Sequence, residues 1–203
     1  MTRPPGTIAL VDYGAGNLRS VENACREVGA KVVVTRDPEV VRAADRVVVP
    51  GQGSMPECAE AMRRSGVADA LKEAVARGTP TLGICVGLQI LFEAGEEAGG
   101  AKGLGLLPGT IRRLPAGVKL PNIGWCPVRL VRDVPLFRPM DGQHVYFAHS
   151  YAAAADAPGA ALVTTHGVDY CAALAKDNLY AVQFHPEKSQ AVGLALLRRF
   201  VEL

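Results

Sequence analysis

The chain contains no Cys-x-x-Cys pair, and its five cysteines, at positions 25, 58, 85, 126 and 171, form an odd and widely spaced set. This argues against both a disulfide framework and a zinc site, and fits a reducing cytoplasm. No apolar run approaches the roughly 20 residues that cross a bilayer, so no membrane partner is expected. Basic residues gather only in doublets such as Arg112-Arg113 and Arg198-Arg199, and the formal charge is +2. The electrostatic footprint for a phosphate backbone is missing, which excludes nucleic acid as a partner. Met1 to Thr7 holds one Arg and two Pro but no apolar leader segment, an argument against secretion. What remains, 203 residues with 49% hydrophobic and 21% charged side chains, is the composition of an ordinary globular protein. One α/β domain over residues 1–203 is expected.

Ile8 to Val11, Lys31 to Thr35, Arg46 to Val49 and Pro80 to Ile84 are short apolar or β-branched runs. Between them lie stretches with helical spacing, Asn17 to Val28 and the segment from Val67 that ends at Gly78. Continuous apolar strands alternating with amphipathic helices indicate a mostly parallel, doubly wound sheet. Beyond residue 105 the rhythm changes. Strand-like runs at Trp125 to Val131, His144 to Ala148, Ala160 to Thr165 and Cys171 to Phe184 predict added antiparallel strands, with Asp177-Asn178 as a hairpin turn. Ser189 reads as the N-cap of a closing helix, Gln190 to Glu202.

Three segments carry chemistry. Gly83-Ile84-Cys85-Val86-Gly87 follows a strand and precedes a helix-like stretch, Leu88 to Glu93. It therefore has the form of a tight elbow that lifts a nucleophile, here Cys85, above the sheet edge, where a helix N-terminus would favour the thiolate. His185-Pro186-Glu187 ends another strand; residues i and i+2 point the same way, and the proline stiffens the pair. Glu187 would then orient His185 as the base for Cys85. Pro50-Gly51-Gln52-Gly53 ends a buried strand, and its glycines leave backbone N–H groups open to a developing oxyanion. The other four cysteines are read as buried small hydrophobes. His144 and His166 are read as structural or surface residues, while His149, in His149-Ser150-Tyr151, is placed to line a cleft.

The loop, elbow and His-Pro-Glu, in that order, resemble the class I glutamine amidotransferases over nearly the whole chain. Asp12 to Ser20 (DYGAGNLRS), the PGQG loop, Gly83 to Gln89, Pro121 to Trp125 (PNIGW) and Gln183 to Ser189 (QFHPEKS) are similar, within that family, to the glutaminase subunits of imidazole glycerol phosphate synthases. The resemblance implies that Cys85 attacks the carboxamide of L-glutamine, that a thioester forms, and that ammonia leaves protonated through His185. It implies glutamine contacts at Gln89, Glu97, Ser150 and Tyr151, and an oxyanion hole from Val86 and the Gly51, Gln52, Gly53 segment after a peptide there turns. It implies a heterodimer with a barrel-shaped cyclase subunit in histidine biosynthesis, faced by Asp12, Asn17, Trp125, Tyr146 and Lys188. It calls for no cofactor and no metal. Gly14 and Gly16 do not make a dinucleotide fingerprint, because Arg19 holds the third glycine position. Two positions depart from the usual pattern: Gln52 stands where valine is commoner, and Cys126 where asparagine is usual. The glutaminase of a pyridoxal phosphate synthase shares the triad but not the PGQG and DYGAGN segments. A non-catalytic relative would generally have lost the cysteine or the histidine.

Overall fold

In the computed structural model, which describes residues 6–14 and 17–203, the four early apolar runs form parallel strands. They are β1 (Thr7–Val11), β2 (Lys31–Thr35), β3 (Arg46–Val49) and β4 (Thr81–Ile84). β3 and β4 are buried along their whole length, which is why they read as unbroken apolar runs rather than alternating ones. A fifth parallel strand, β14 (Leu179–Val182), enters from the far end of the chain and pairs with β4, Val182 opposite Ile84. Three antiparallel strands extend this sheet: β13 (Val168–Lys176), β12 (Ala160–His166) and β9 (Arg129–Leu130).

Helices α1 (Leu18–Glu27) and α6 (Gln190–Val201) touch one another, and α2 (Pro38–Ala43), α3 (Met55–Arg64) and α4 (Val67–Ala76) form a second group. The expected α/β class, a mostly parallel sheet with added antiparallel strands, is the one observed. Among the described residues no helix is long and apolar enough to cross a membrane.

Several local expectations fail for identifiable reasons. The helix after the elbow, α5 (Val86–Gln89), is four residues long and does not reach Glu93. Ile90 and Leu91 instead give their carbonyls to Leu104, Leu106 and Leu107, and Phe92 starts β5 (Phe92–Gly95). β5 pairs with β6 (Ala101–Lys102) and β7 (Leu107–Arg113), and β7 pairs with β11 (Tyr151–Ala152). An apolar stretch satisfies helix and buried strand alike, and here the non-local partner decides.

Trp125 to Val131 is divided between two sheets. Among the described residues β8 (Asn122–Pro127) pairs only with β10 (His144–His149), whereas β9 joins the large sheet. The hairpin turn falls at Asp177-Asn178 as expected, but only Asp177 takes a positive φ, 53°. Asn178 instead donates to the Val75 and Thr79 carbonyls at 3.0 and 2.8 Å, closing the end of α4. Ser189 precedes α6 without capping it through its side chain. Its hydroxyl donates to the His185 carbonyl at 2.6 Å and accepts from the Tyr146 N–H at 3.0 Å.

Candidate active site

Adjacent parallel strands end on the same edge, so β3, β4 and β14 deliver their following residues to one crevice. β3 releases Pro50 to Gly53, β4 releases Cys85, and β14 releases Gln183 to Glu187. Residues 32 to 137 positions apart in sequence thereby become neighbours through strand order alone.

Cys85 has φ 54° and ψ −112°, a left-handed φ that costs a non-glycine residue about 1–3 kcal/mol and must be imposed by its surroundings. The surroundings do so. Its N–H donates to the Val182 carbonyl at 2.8 Å, and its carbonyl accepts from Leu88 and Gln89 at 3.0 and 3.2 Å. The Val86 N–H has no hydrogen-bond partner among the described residues. The loop from β3 packs directly on this turn: a Cβ on Gly51 would lie 2.1 Å from the Gly87 nitrogen, and one on Gly87 would lie 2.0 Å from the Val49 carbonyl. These glycines are therefore steric requirements of the contact. With only four residues in α5, free N–H groups at the turn, rather than a long helix dipole, are what the elbow offers to negative charge.

His185 is fixed on three sides. Its backbone N–H donates to Tyr146 at 2.8 Å, its carbonyl is held by Ser189, and its Nδ1 lies 2.8 Å from Glu187 Oε1. Asn17, at the N-cap of α1, gives its side-chain amide to the same Glu187 oxygen rather than to its own helix. The Glu187 side chain is 0% exposed, and its Oε2 has no partner among the described residues. Burial disfavours a charged His185, but hydrogen bonding and charge from Cys85 and Glu187 outweigh it and raise its pKa to about 10. Gln183 Nε2 stands 3.7 Å from the Cys85 sulfur.

A cavity of about 210 Å³ opens on the sulfur. That is smaller than the roughly 300–1,000 Å³ of drug-sized ligand sites, and suits a single amino acid. Gly53, Val86, Gln89, Glu97, Ser150 and Tyr151 all line it, beside Cys85, Pro121, Ala148 and His149. Gln89 spends both amide hydrogens on the Tyr151 carbonyl (2.9 Å) and Gln183 Oε1 (3.2 Å), leaving its own Oε1 as an acceptor. Glu97 also accepts from the Met55 N–H at 2.7 Å, tying the cavity wall to the start of α3.

His149 holds the wall from behind. Tyr170 accepts from Asn122 at 2.9 Å and has its one hydrogen left for His149 Nε2 at 3.2 Å, so Nδ1 carries the proton given to the Tyr151 carbonyl at 2.9 Å. Burial pushes the His149 pKa down to about 4, which keeps this ring neutral.

Residues 9–203 match the family described as glutamine amidotransferase class-I. The imidazole glycerol phosphate synthase subunit HisH of Geobacter metallireducens is 44% identical, with 96% of this chain and 97% of that one covered. The HisH subunit of Nitrosomonas europaea is 46% identical over 97% and 98%. The chain is a class-I glutamine amidotransferase of the HisH family.

Solved amidotransferase folds agree. A crystal structure of a glutamine amidotransferase superimposes with TM-score 0.76 at 19% identity, covering 96% and 97% of the two chains; PurLQS from Thermotoga maritima gives 0.69 at 18%, covering 96% of each. At that identity the likeness concerns the fold.

The structure brings Cys85, His185 and Glu187 together, and Gln89, Glu97, Ser150 and Tyr151, the residues read as glutamine contacts, line the cavity. Gly51 and Gln52 do not line it; Gly53 does. Of the residues read as facing a second protein, Trp125 and Tyr146 lie opposite each other on β8 and β10 with their rings edge to face, 6.1 Å apart, and Lys188 sits 5.7 Å over the Tyr146 ring. Trp125 is 43% exposed and Ile123 beside it 62%, an apolar patch on a two-stranded ribbon. Asn17 turns its amide to the buried Glu187, whereas Asp12 stays at the surface, accepting from the exposed Arg36 at 2.8 Å and from the Gly14 N–H at 3.0 Å. Ala15 and Gly16 of the same segment lie outside the described residues.

His149 lines the cavity, the cleft position read for it, but its bonds to Tyr170 and through it to Asn122, like the contact of Gln183 with the sulfur, had no counterpart among the expected site residues. Gln183 did carry a signal, as a polar residue two positions before His185 in an otherwise apolar strand.

Proposed function

We propose that this class-I amidotransferase works as the glutaminase subunit of imidazole glycerol phosphate synthase, with Cys85 as nucleophile, His185 as acid and base, and Glu187 as its orienter. The observation that carries the reading is the shared strand edge, where β4 sets the Cys85 sulfur in the wall of an amino-acid-sized cavity and β14 leads to His185 and the buried Glu187 carboxylate that holds its ring. The raised His185 pKa supports an imidazolium beside the sulfur, the state that both activates a thiol and can return a proton.

In this reaction the sulfur attacks the carboxamide carbon of glutamine, and the carbonyl oxygen becomes an oxyanion facing the Val86 N–H and a second donor from the Gly51–Gly53 segment. His185 gives its proton to the departing nitrogen, the C–N bond breaks, and ammonia leaves a γ-glutamyl thioester. Water then attacks, its proton passing to His185, and glutamate departs as the sulfur is freed. Glu97 is the one carboxylate lining the cavity, and pairs with the substrate's α-ammonium. The Gln89 Oε1 and the Ser150-Tyr151 backbone complete the polar contacts.

The exposed Trp125 and Ile123, with Tyr146 and Lys188, are the surface for a barrel-shaped cyclase subunit that forms a heterodimer with this chain and receives ammonia directly, in the cytoplasm. Glutamate release by the chain alone, with the cyclase subunit, and with that subunit plus its nucleotide ligand tests the whole reading. Release should rise strongly in the complex; no release in any combination would end it.

A further inference from the structure

The Pro50–Gly53 loop is unevenly bonded. The Tyr13 hydroxyl donates to the Pro50 carbonyl, and the Cys58 thiol donates to the Gln52 carbonyl across 3.5 Å. Those two carbonyls belong to the peptides on either side of the Gly51–Gln52 peptide. Among the described residues, neither the Gly51 carbonyl nor the Gln52 N–H has a hydrogen-bond partner. A planar peptide turns by opposite changes in the two dihedrals that flank it, so its neighbours can stay in place while it rotates. Here both neighbours are held and the middle is free.

The two donors are suited to that task. Both side chains are buried, Tyr13 beneath the loop and Cys58 on the first turns of α3. Burial raises the Tyr13 phenol well above its ordinary range and the Cys58 thiol to about 11, so each keeps its proton to donate. Packing alone would be met by phenylalanine and alanine. Tyr13 also belongs to the turn between β1 and α1 that carries Asp12, so its bond joins that turn to the loop.

Resting on the glutaminase reading above, we infer that Tyr13 and Cys58 are positioning residues. They fix the peptides flanking Gly51–Gln52, so that this peptide alone turns and aims its N–H at the oxyanion on the Cys85 adduct.

Tyr13→Phe and Cys58→Ala each remove one donor with little loss of volume, and Cys58→Ser restores one. In the full chain with the cyclase subunit and its nucleotide ligand, each removal should lower kcat for glutamate release by about tenfold with KM for glutamine unchanged, because a donor is loosened rather than lost. Cys58→Ser should recover most of that loss. Alkylation of Cys85 by iodoacetamide, followed on its own peptide by mass spectrometry, needs the thiolate but no oxyanion donor and should keep the wild-type rate. Wild-type turnover in both variants, equal losses in turnover and alkylation, or a change in KM alone would overturn the inference. So would a rise in partner-free release, since the bonds would then be restraining the loop. If the wild-type chain releases no glutamate in any combination, the glutaminase reading falls and this inference falls with it.

Discussion

The elbow and the oxyanion loop touch through Gly51 and Gly87, yet they are held in opposite ways. Around the elbow, the backbone groups of Cys85 and His185 are bonded, and the His185 ring is fixed by a buried carboxylate. In the loop, the central peptide is bonded to nothing among the described residues, and Gln52 and Gly53 are exposed. The difference follows from distance to the sheet. Cys85 is one residue past a strand and inherits its register, whereas Gln52 is three past and depends on side chains from elsewhere. The Cys85 sulfur and the His185 ring are therefore set by the fold, and the Gly51–Gln52 peptide by a segment that can be adjusted.

Substitutions can break or sharpen that contrast. Cys85→Ala should abolish glutamate release, a loss of about 10⁴-fold or more, while leaving complex formation intact; unchanged turnover would remove Cys85 from the nucleophile's place. Next in size, Gly51→Ala puts a Cβ into the Gly87 backbone, so the loop must lift away. Turnover should fall about 10²- to 10³-fold, the scale of a lost oxyanion donor, with alkylation of Cys85 nearly unaffected. Glu187→Gln should slow release by about 10- to 100-fold, less than loss of the sulfur, because burial and the bonds of the His185 backbone to Tyr146 and Ser189 still hold the residue in place. A pH–rate profile should show the effect as a lowered upper limb.

The smallest effect on turnover is expected at His149, where the measurement is stability. Its folded pKa of about 4 lies below the ordinary 6.5, so the unfolded chain binds the proton first as pH falls. The contribution is present above pH 6.5 and is lost between there and pH 4, about 3 kcal/mol in all. Urea midpoints for His149→Gln should fall less steeply over that window than those of the wild-type chain; parallel curves would mean that another group controls the acid limb.

Much of the site was legible because close contact restricts residue type. Glycine at 51 and 87 reflects a real approach of two backbones; His185 and Glu187 do pair two residues apart, but through a 3-10 turn over Pro186–Lys188 rather than along the extended strand expected. Three of the four parallel runs, β1, β3 and β4, were readable because near-complete burial leaves no alternation, while β2, exposed at Val33 and Val34, was readable from its β-branched residues. What stayed hidden depends on partners remote in sequence. Phe92 becomes a strand because β7 is beside it, and Asn17 and Ser189 give up capping to serve Glu187 and His185. The Asn122–Tyr170–His149 chain spans 48 residues between its first two members and has no local pattern to announce it.

The contrast between a fixed elbow and an adjustable loop is tested most directly by following two reactions of one sulfur while the cyclase subunit and its nucleotide ligand are added: alkylation of Cys85 by iodoacetamide, and glutamate release. If the nucleophile and base are already assembled, release rises steeply while alkylation does not rise with it. A parallel rise in both would show that the partner assembles the triad itself, and that the Gly51–Gln52 peptide is not the point of control.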